Sequence, residues 1–224
     1  MSKKLVLFDA YGTLLDVYSV TDEAESAFPG QGKALALLWR DKQIEYTRLR
    51  ALSQRYKHFW NITEDALDFA CEALKLNLTP DVRQALLACY ARLRAYPENV
   101  EVLQTLRRSG IRTAILSNGN IKMLDTAVSA ADMTDWLDAV LSVEPLQTFK
   151  TDPRVYQYGL DYFGVEVKEA LFVSSNCWDV CGATWFGLDT VWINRLGLPL
   201  ERLDVVPVRQ GNSLRTVLEQ LNLS

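Results

Sequence analysis

Lys4–Phe8, KLVLF, is an unbroken apolar run that ends in Asp9, and Ala10–Leu14, AYGTL, follows it with a glycine at position 12. A short run with no polar alternation is the pattern of a strand buried on both faces, as in a parallel sheet covered by helices. Beyond this opening the period changes. Leu49, Leu52, Tyr56 and Phe59 recur at three and four, as do Val82, Leu86, Cys89 (or Tyr90) and Leu93. Thr79-Pro80 supplies an N-cap hydroxyl with proline in the first helical turn. Residues 16–97 therefore read as a helical insert.

From Pro97 onward helix and strand alternate. Helices are expected over Glu98–Ser109, Pro153–Phe163, Trp178–Phe186 and Ser213–Leu221. Strands are expected over Ile111–Leu116, Ala139–Val143, Leu171–Val173 and Thr190–Ile193. Repeated βα units point to a parallel sheet with helices on both faces. The expected fold is α/β: a Rossmann-like core made of residues 1–15 and 98–224, with a helical cap, residues 16–97, inserted between them.

Composition narrows the function. The chain has 224 residues, 49% of them hydrophobic, which is ample for one sizeable core. A formal charge of −4, with acidic and basic residues interspersed, lacks the basic footprint of a nucleic-acid binder. The apolar runs are strand-sized, well short of the roughly 20 residues that cross a membrane. MSKKLVLFDA leads directly into a strand, with no cleavable leader, so a cytoplasmic location is expected. Cys71, Cys89, Cys177 and Cys181 have no disulfide-framework spacing, and with a single histidine, His58, the Cys177/Cys181 pair reads as structural thiols and not as a metal site. His58, in the basic helical stretch RYKHFW, reads as a surface or boundary residue, which leaves a histidine-based triad without its base.

In an open parallel sheet, ligands sit beyond the carboxyl ends of the strands. The residues that fall there are Asp9, Tyr11 and Thr13, then Ser117 and Asn118, then Lys150, and finally Ser174, Asn176 and Asp179. Each has an ordinary reading as a loop or cap residue. Their coincidence at successive strand ends points to a site.

LFDAYGTLLD resembles the opening motif of the haloacid dehalogenase superfamily, in which the first aspartate of D-x-x-G-T is a covalent nucleophile. LSNG, the lysine of FKTD, and FVSSNCWD are similar to its other three motifs, in order and in approximate spacing. Two departures select a branch. Tyr11 stands where phosphatases carry the aspartate that protonates a leaving alcohol, and halide needs no such proton. Ser175 stands where they carry a Mg²⁺-binding aspartate, and Mg²⁺ wants several hard oxygen ligands. These substitutions, together with ALLWRDKQIEYTRLR in the insert, resemble the L-2-haloacid dehalogenase family.

The resemblance implies hydrolysis of short (S)-2-haloacids to (R)-2-hydroxyacids by a homodimer that needs no metal or other cofactor. It implies Asp9 as nucleophile, Lys150 as its cationic partner, and Arg40 over the cleft. An anionic substrate that expels a second anion calls for positive charge and N–H donors aimed at both. Arg40 and Asn118 suit the halide; Ser117 and the N–H groups of the following helix start suit the carboxylate. Thr13, Tyr156, Ser174 and Asn176 are expected to orient these groups. Asp179 with Lys150 is expected to position or activate the hydrolytic water, and Tyr11, Phe59 and Trp178 to wall the carbon–halogen bond. The family usually has proline after the motif lysine; here Thr151 follows, and an adjusted loop is expected. The rivals are a Mg²⁺-dependent phosphatase or phosphomutase, which needs the acidic residues that Tyr11 and Ser175 replace, and a non-catalytic binding protein, which would be expected to lose Asp9 or Lys150.

Overall fold

A computed structural model describes residues 3–223. Its element order is β1 (Leu5–Phe8), α1 (Thr21–Ala27), α2 (Gly32–Leu52), α3 (Phe59–Ala73), α4 (Pro80–Tyr90), α5 (Asn99–Arg108), β2 (Arg112–Ser117), α6 (Ile121–Ala130), β3 (Ala139–Ser142), α7 (Pro153–Phe163), β4 (Ala170–Ser174), α8 (Cys177–Phe186), β5 (Asp189–Ile193), β6 (Arg209–Gly211) and α9 (Thr216–Gln220). Short 3₁₀ turns join several of these.

The six strands form one parallel sheet in the order β3-β2-β1-β4-β5-β6. Leu5, Val6, Leu7 and Phe8 are completely buried, as an apolar run in the centre of a two-sided sheet must be. Strand order reverses at β1, which lies between β2 and β4, so the carboxyl ends of these three strands open on one crevice. The order matches the expected Rossmann-like core. β6 is an addition: RQG has neither apolar character nor β-branched residues, and only pairing with β5 makes it a strand.

The segment between β1 and α5 is helical. Thr79 accepts the Val82 N–H at 3.4 Å with Pro80 opening α4, as its sequence indicated. Inside this helical layer Trp39 is buried, donates its indole N–H to Thr63 O at 2.8 Å, and packs on Tyr90 with ring centroids 5.0 Å apart. One periodicity was misleading. Leu49, Leu52, Tyr56 and Phe59 do not share a helix, because α2 ends at Leu52 and residues 53–58 form a break before α3. Leu49 and Leu52 are exposed, whereas Phe59 is buried. The stretch RYKHFW is accordingly not a basic helix face: His58 is the residue before α3, mostly exposed, with Nδ1 2.9 Å from Asn120 Nδ2 and 3.1 Å from Glu144 Oε1. It sits at the seam between helical layer and sheet.

All four cysteines are free. Among the described residues no helix is long and apolar enough to cross a membrane.

Candidate active site

The crevice at the strand ends is built around Asp9. Its N–H is bonded to Val173 O at 2.9 Å, which fixes where the chain leaves the sheet. Gly12 then turns at φ +93°, a left-handed conformation that costs glycine little, and a Cβ there would lie 3.0 Å from Ser175 Oγ. This tight turn brings Thr13 back onto Asp9. Asp9 Oδ2 accepts from Thr13 Oγ1 at 3.0 Å and from Asn176 Nδ2 at 2.8 Å, while Oδ1 accepts from Lys150 Nζ at 3.0 Å. The Ser175 N–H in turn holds Thr13 Oγ1 at 2.8 Å.

Lys150 is completely buried and spans two carboxylates, with Asp179 Oδ2 2.8 Å from its ammonium. Burial by itself would lower the ammonium pKa, but Asp179 and Asp9 outweigh it and hold it above the ordinary lysine value. Burial pushes the Asp179 carboxyl up to about 6, with Lys150 opposing and Asp9 reinforcing the rise. Tyr156 donates its O–H to Asp179 Oδ1 at 2.8 Å. The peptide between Lys150 and Thr151 is cis. α8 approaches this loop closely because residue 182 is glycine; a Cβ there would lie 2.7 Å from Tyr156 OH.

Arg40 reaches the same place from α2. It is 8% exposed, and its guanidinium donates to Gln43 Oε1 at 2.7 Å, Tyr11 O at 3.1 Å and Asn176 Oδ1 at 3.3 Å. Gln43 is itself held, donating to Thr63 Oγ1 at 2.6 Å and accepting from Tyr90 OH at 2.9 Å. Gln43 was missed as a site residue although it lies in the WRDKQ segment. Its spacing of three from Arg40 put it on the same helical face.

A cavity of about 20 Å³ lies among Asp9, Tyr11, Arg40, Ile44, Thr47, Phe59, Ser117, Asn118, Asn176 and Trp178. All the residues expected to touch substrate therefore share one small chamber with the Asp9 carboxylate. Ile44 and Thr47, one and two turns beyond Arg40, were missed; an apolar and a hydroxyl residue in a helix carry no signal until that helix is oriented. Thr13, Lys150, Tyr156, Ser174 and Asp179 lie behind the chamber wall. Ser174 Oγ accepts the Asn176 N–H at 3.1 Å, so it holds the loop that carries Asn176.

One expectation about donors changes. Of the N–H groups at the start of α6, Gly119 donates to Ser117 Oγ at 3.1 Å and Ile121 to Glu144 Oε2 at 3.3 Å, so both are already engaged. Ser117 keeps its hydroxyl proton for another acceptor. Asn118 accepts the Lys150 N–H through Oδ1 at 2.9 Å, and none of the described hydrogen bonds uses its Nδ2.

A wider cleft of about 690 Å³ adjoins the chamber and shares Arg40, Ile44, Asn176 and Trp178 with it. Asp9 does not line this cleft, which runs between α2 and residues 194–201. Arg48 lies over the Trp178 ring at 4.9 Å where the two spaces meet.

Residues 3–187 match the family model described as haloacid dehalogenase-like hydrolase. The chain belongs to that family. This hydrolase is 45% identical over 216 residues to an (S)-2-haloacid dehalogenase of Pseudomonas sp. (strain YL), covering 96% of this chain and 93% of the relative. A solved L-2-haloacid dehalogenase superimposes with TM-score 0.97 at 50% identity, covering 99% of this chain and 100% of the other. The L-2-haloacid dehalogenase of Xanthobacter autotrophicus, solved with chloropropionic acid covalently bound, superimposes with TM-score 0.91 at 35% identity over 98% of each chain.

Among the described residues of the hydrolase, no group of three His, Cys, Asp or Glu side chains is arranged to hold a metal ion. Where a carboxylate would be wanted for one, Ser175 stands 3.3 Å from Thr13 Oγ1.

Proposed function

We propose that this hydrolase converts short-chain (S)-2-haloacids to (R)-2-hydroxyacids and halide through an ester on Asp9, without a metal. One observation carries the reading. A single carboxylate, held by Lys150, Thr13 and Asn176, lines a chamber that also holds the donors Arg40 and Asn118 and no second acid. Such a chamber suits a nucleophile in front and a departing anion behind.

Asp9 attacks C2 from the side opposite the halogen. The new C–O bond forms as the C–X pair leaves on halide, so configuration inverts. Arg40 and Asn118 stabilise the charge that develops on the halogen, and the Ser117 hydroxyl donates to the substrate carboxylate. Water then adds to the carbonyl carbon of the aspartyl ester, and cleavage of the bond from that carbon to the alkyl oxygen releases the hydroxyacid. One proton is released per halide. Lys150 and Asp179 serve that step from behind the chamber wall, Asp179 acting through the ammonium. Residues 16–97 act as the cap over the core of 1–15 and 98–224. The relative solved with chloropropionic acid covalently bound supports a covalent route.

A single turnover in H₂¹⁸O, with enzyme in excess over 2-chloropropionate, tests this. The ester route puts ¹⁸O into the Asp9 carboxylate and almost none into the product hydroxyl, read by mass spectrometry of the peptide containing LVLFDAYG. Label in the first-turnover product, with Asp9 unlabelled, means that water attacks carbon directly and refutes the ester.

A further inference from the structure

Arg195 lies two residues beyond β5 and belongs to no motif, yet it meets three parts of the molecule that the reaction depends on. Its guanidinium pairs with Glu98 Oε1 at 2.8 Å, both side chains being largely buried. It donates to Thr13 O at 3.1 Å. It lies 3.5 Å from the centre of the Tyr96 ring. Thr13 and Tyr96 flank the two strands by which the chain leaves and re-enters the core. Those strands are tied together: Leu15 bridges Ala95 antiparallel, Asp16 N–H bonds to Arg94 O at 2.8 Å, and Tyr96 N–H bonds to Leu14 O at 3.2 Å. Asn99 Nδ2 adds a bond to Leu14 O at 2.7 Å.

Glu98 is fixed in its turn by Leu214 N at 3.1 Å and Ser213 Oγ at 3.3 Å, which come from the C-terminal part of the core. Burial works against its charge, but Arg195 and backbone N–H groups outweigh this and hold the carboxyl below its ordinary value. Among the described residues, Arg195 Nε has no hydrogen-bond partner. What the guanidinium does gain is simultaneous contact with both hinge strands and with the residue whose hydroxyl holds Asp9.

We propose that Arg195 is a positioning residue that clamps the cap hinge to the core and, through Thr13, fixes the direction in which the Asp9 carboxylate points. The proposal rests on Asp9 being the nucleophile. With the clamp lost, Thr13 O is released and its Oγ1 drifts from Asp9 Oδ2. Small displacements of a reacting group cost rate far more than binding.

The test uses Arg195→Gln and Arg195→Lys in the full chain. Arg195→Gln is expected to lower kcat for 2-chloropropionate on the order of 10-fold or more, with KM nearly unchanged, and Arg195→Lys to recover only part. Because Arg195 lines the wide cleft, guanidinium ion at millimolar concentration is expected to raise kcat of Arg195→Ala without raising its Tm. In the same samples, amide exchange at residues 13–15, 95 and 96 is expected to quicken. If wild type releases halide and Arg195→Gln keeps kcat within 2-fold, the proposal is overturned. If wild type releases none, it is the Asp9 reading that fails, and unchanged exchange at the hinge then overturns the clamp independently. Should Arg195→Gln fail to fold, Arg195→Lys carries the same measurements, and a wild-type kcat and exchange pattern there overturns the proposal.

Discussion

Replacing Lys150 with methionine removes the one cation between two buried carboxylates and leaves a side chain of similar length. In the native protein the ammonium is 3.0 Å from Asp9 and 2.8 Å from Asp179, and nothing of it reaches solvent. Asp179 is held only one unit or so below neutrality even with Lys150 present, its pKa raised to about 6 from 3.8, first by burial. Without the ammonium, burial and Asp9 are opposed by the Tyr156 O–H but no longer by a cation, and the pKa rises further. Breaking a buried pair typically costs about 3–5 kcal/mol. Here Asp179 can escape part of that by taking a proton, so about 3 kcal/mol at pH 8 is expected, a fall in Tm of about 6–12 °C. A carboxyl whose folded pKa is raised binds its proton in the native state first. The variant's native state is therefore favoured as pH falls from the raised value toward 3.8, and disfavoured as pH rises through it. The deficit relative to wild type should be smaller at pH 5 than at pH 8. Thermal unfolding of both proteins at pH 5 and pH 8 measures this, and halide release measures activity, expected to fall by about 10³-fold or more. An equal deficit at both pH values, or a deficit larger at pH 5, refutes the assigned electrostatics.

Arg40→Ala is expected to lower turnover by about 10²-fold, and Arg40→Lys to recover only part, because an ammonium lacks the fork that reaches Gln43, Tyr11 and Asn176; near-normal rates in Arg40→Ala would remove Arg40 from the halide side. Tyr156→Phe deletes the O–H that stabilises the Asp179 carboxylate, so the acid limb of the kcat–pH profile, expected near 6, should move upward, and an unmoved limb would separate Asp179 from that ionisation. Activity should survive excess EDTA and gain nothing from added Mg²⁺; loss on chelation that Mg²⁺ restores would mean that Ser175 does not abolish a metal site.

The sheet was legible because its signals are local. KLVLF is apolar throughout, Gly110 and Gly187 close helices, and Thr79-Pro80 opens one. The strand-end residues were legible because parallel topology sends every strand end to the same edge. What failed was reading contacts through a helix whose partner was unknown. The spacing from Leu49 to Phe59 is a good helical repeat, yet α2 stops at Leu52 and exposes Leu49 and Leu52, since the Trp39 and Leu35 face packs inward instead. Gln43, Ile44, Thr47 and Arg195 were invisible for a related reason. A glutamine beside an arginine, or an arginine after a strand, becomes informative only when Tyr90, Glu98 or Asp9 is brought against it, and those pairings span long stretches of chain.

The size of the chamber adds a constraint on how the enzyme works. About 20 Å³ is room for little more than one water, so the chamber is tight around Asp9. Behind Asp9 the wall is rigid, made of β-strand ends and the buried Lys150–Asp179–Tyr156 cluster. In front it is made by Tyr11, Phe59, Trp178 and the α2 residues. Of these, Trp178 has the least to hold it: it is half-buried, its indole N–H has no partner among the described residues, and its far side opens on the wide cleft beneath Arg48. Tyr11, by contrast, stacks between Phe59 and Tyr90 at centroid distances of 5.6 and 5.9 Å. The Trp178 and α2 side is therefore where the chamber meets the wide cleft. Arg40 is anchored from α2 to Tyr11 O and Asn176 in the core, so it ties this side of the chamber to the strand ends that hold Asp9.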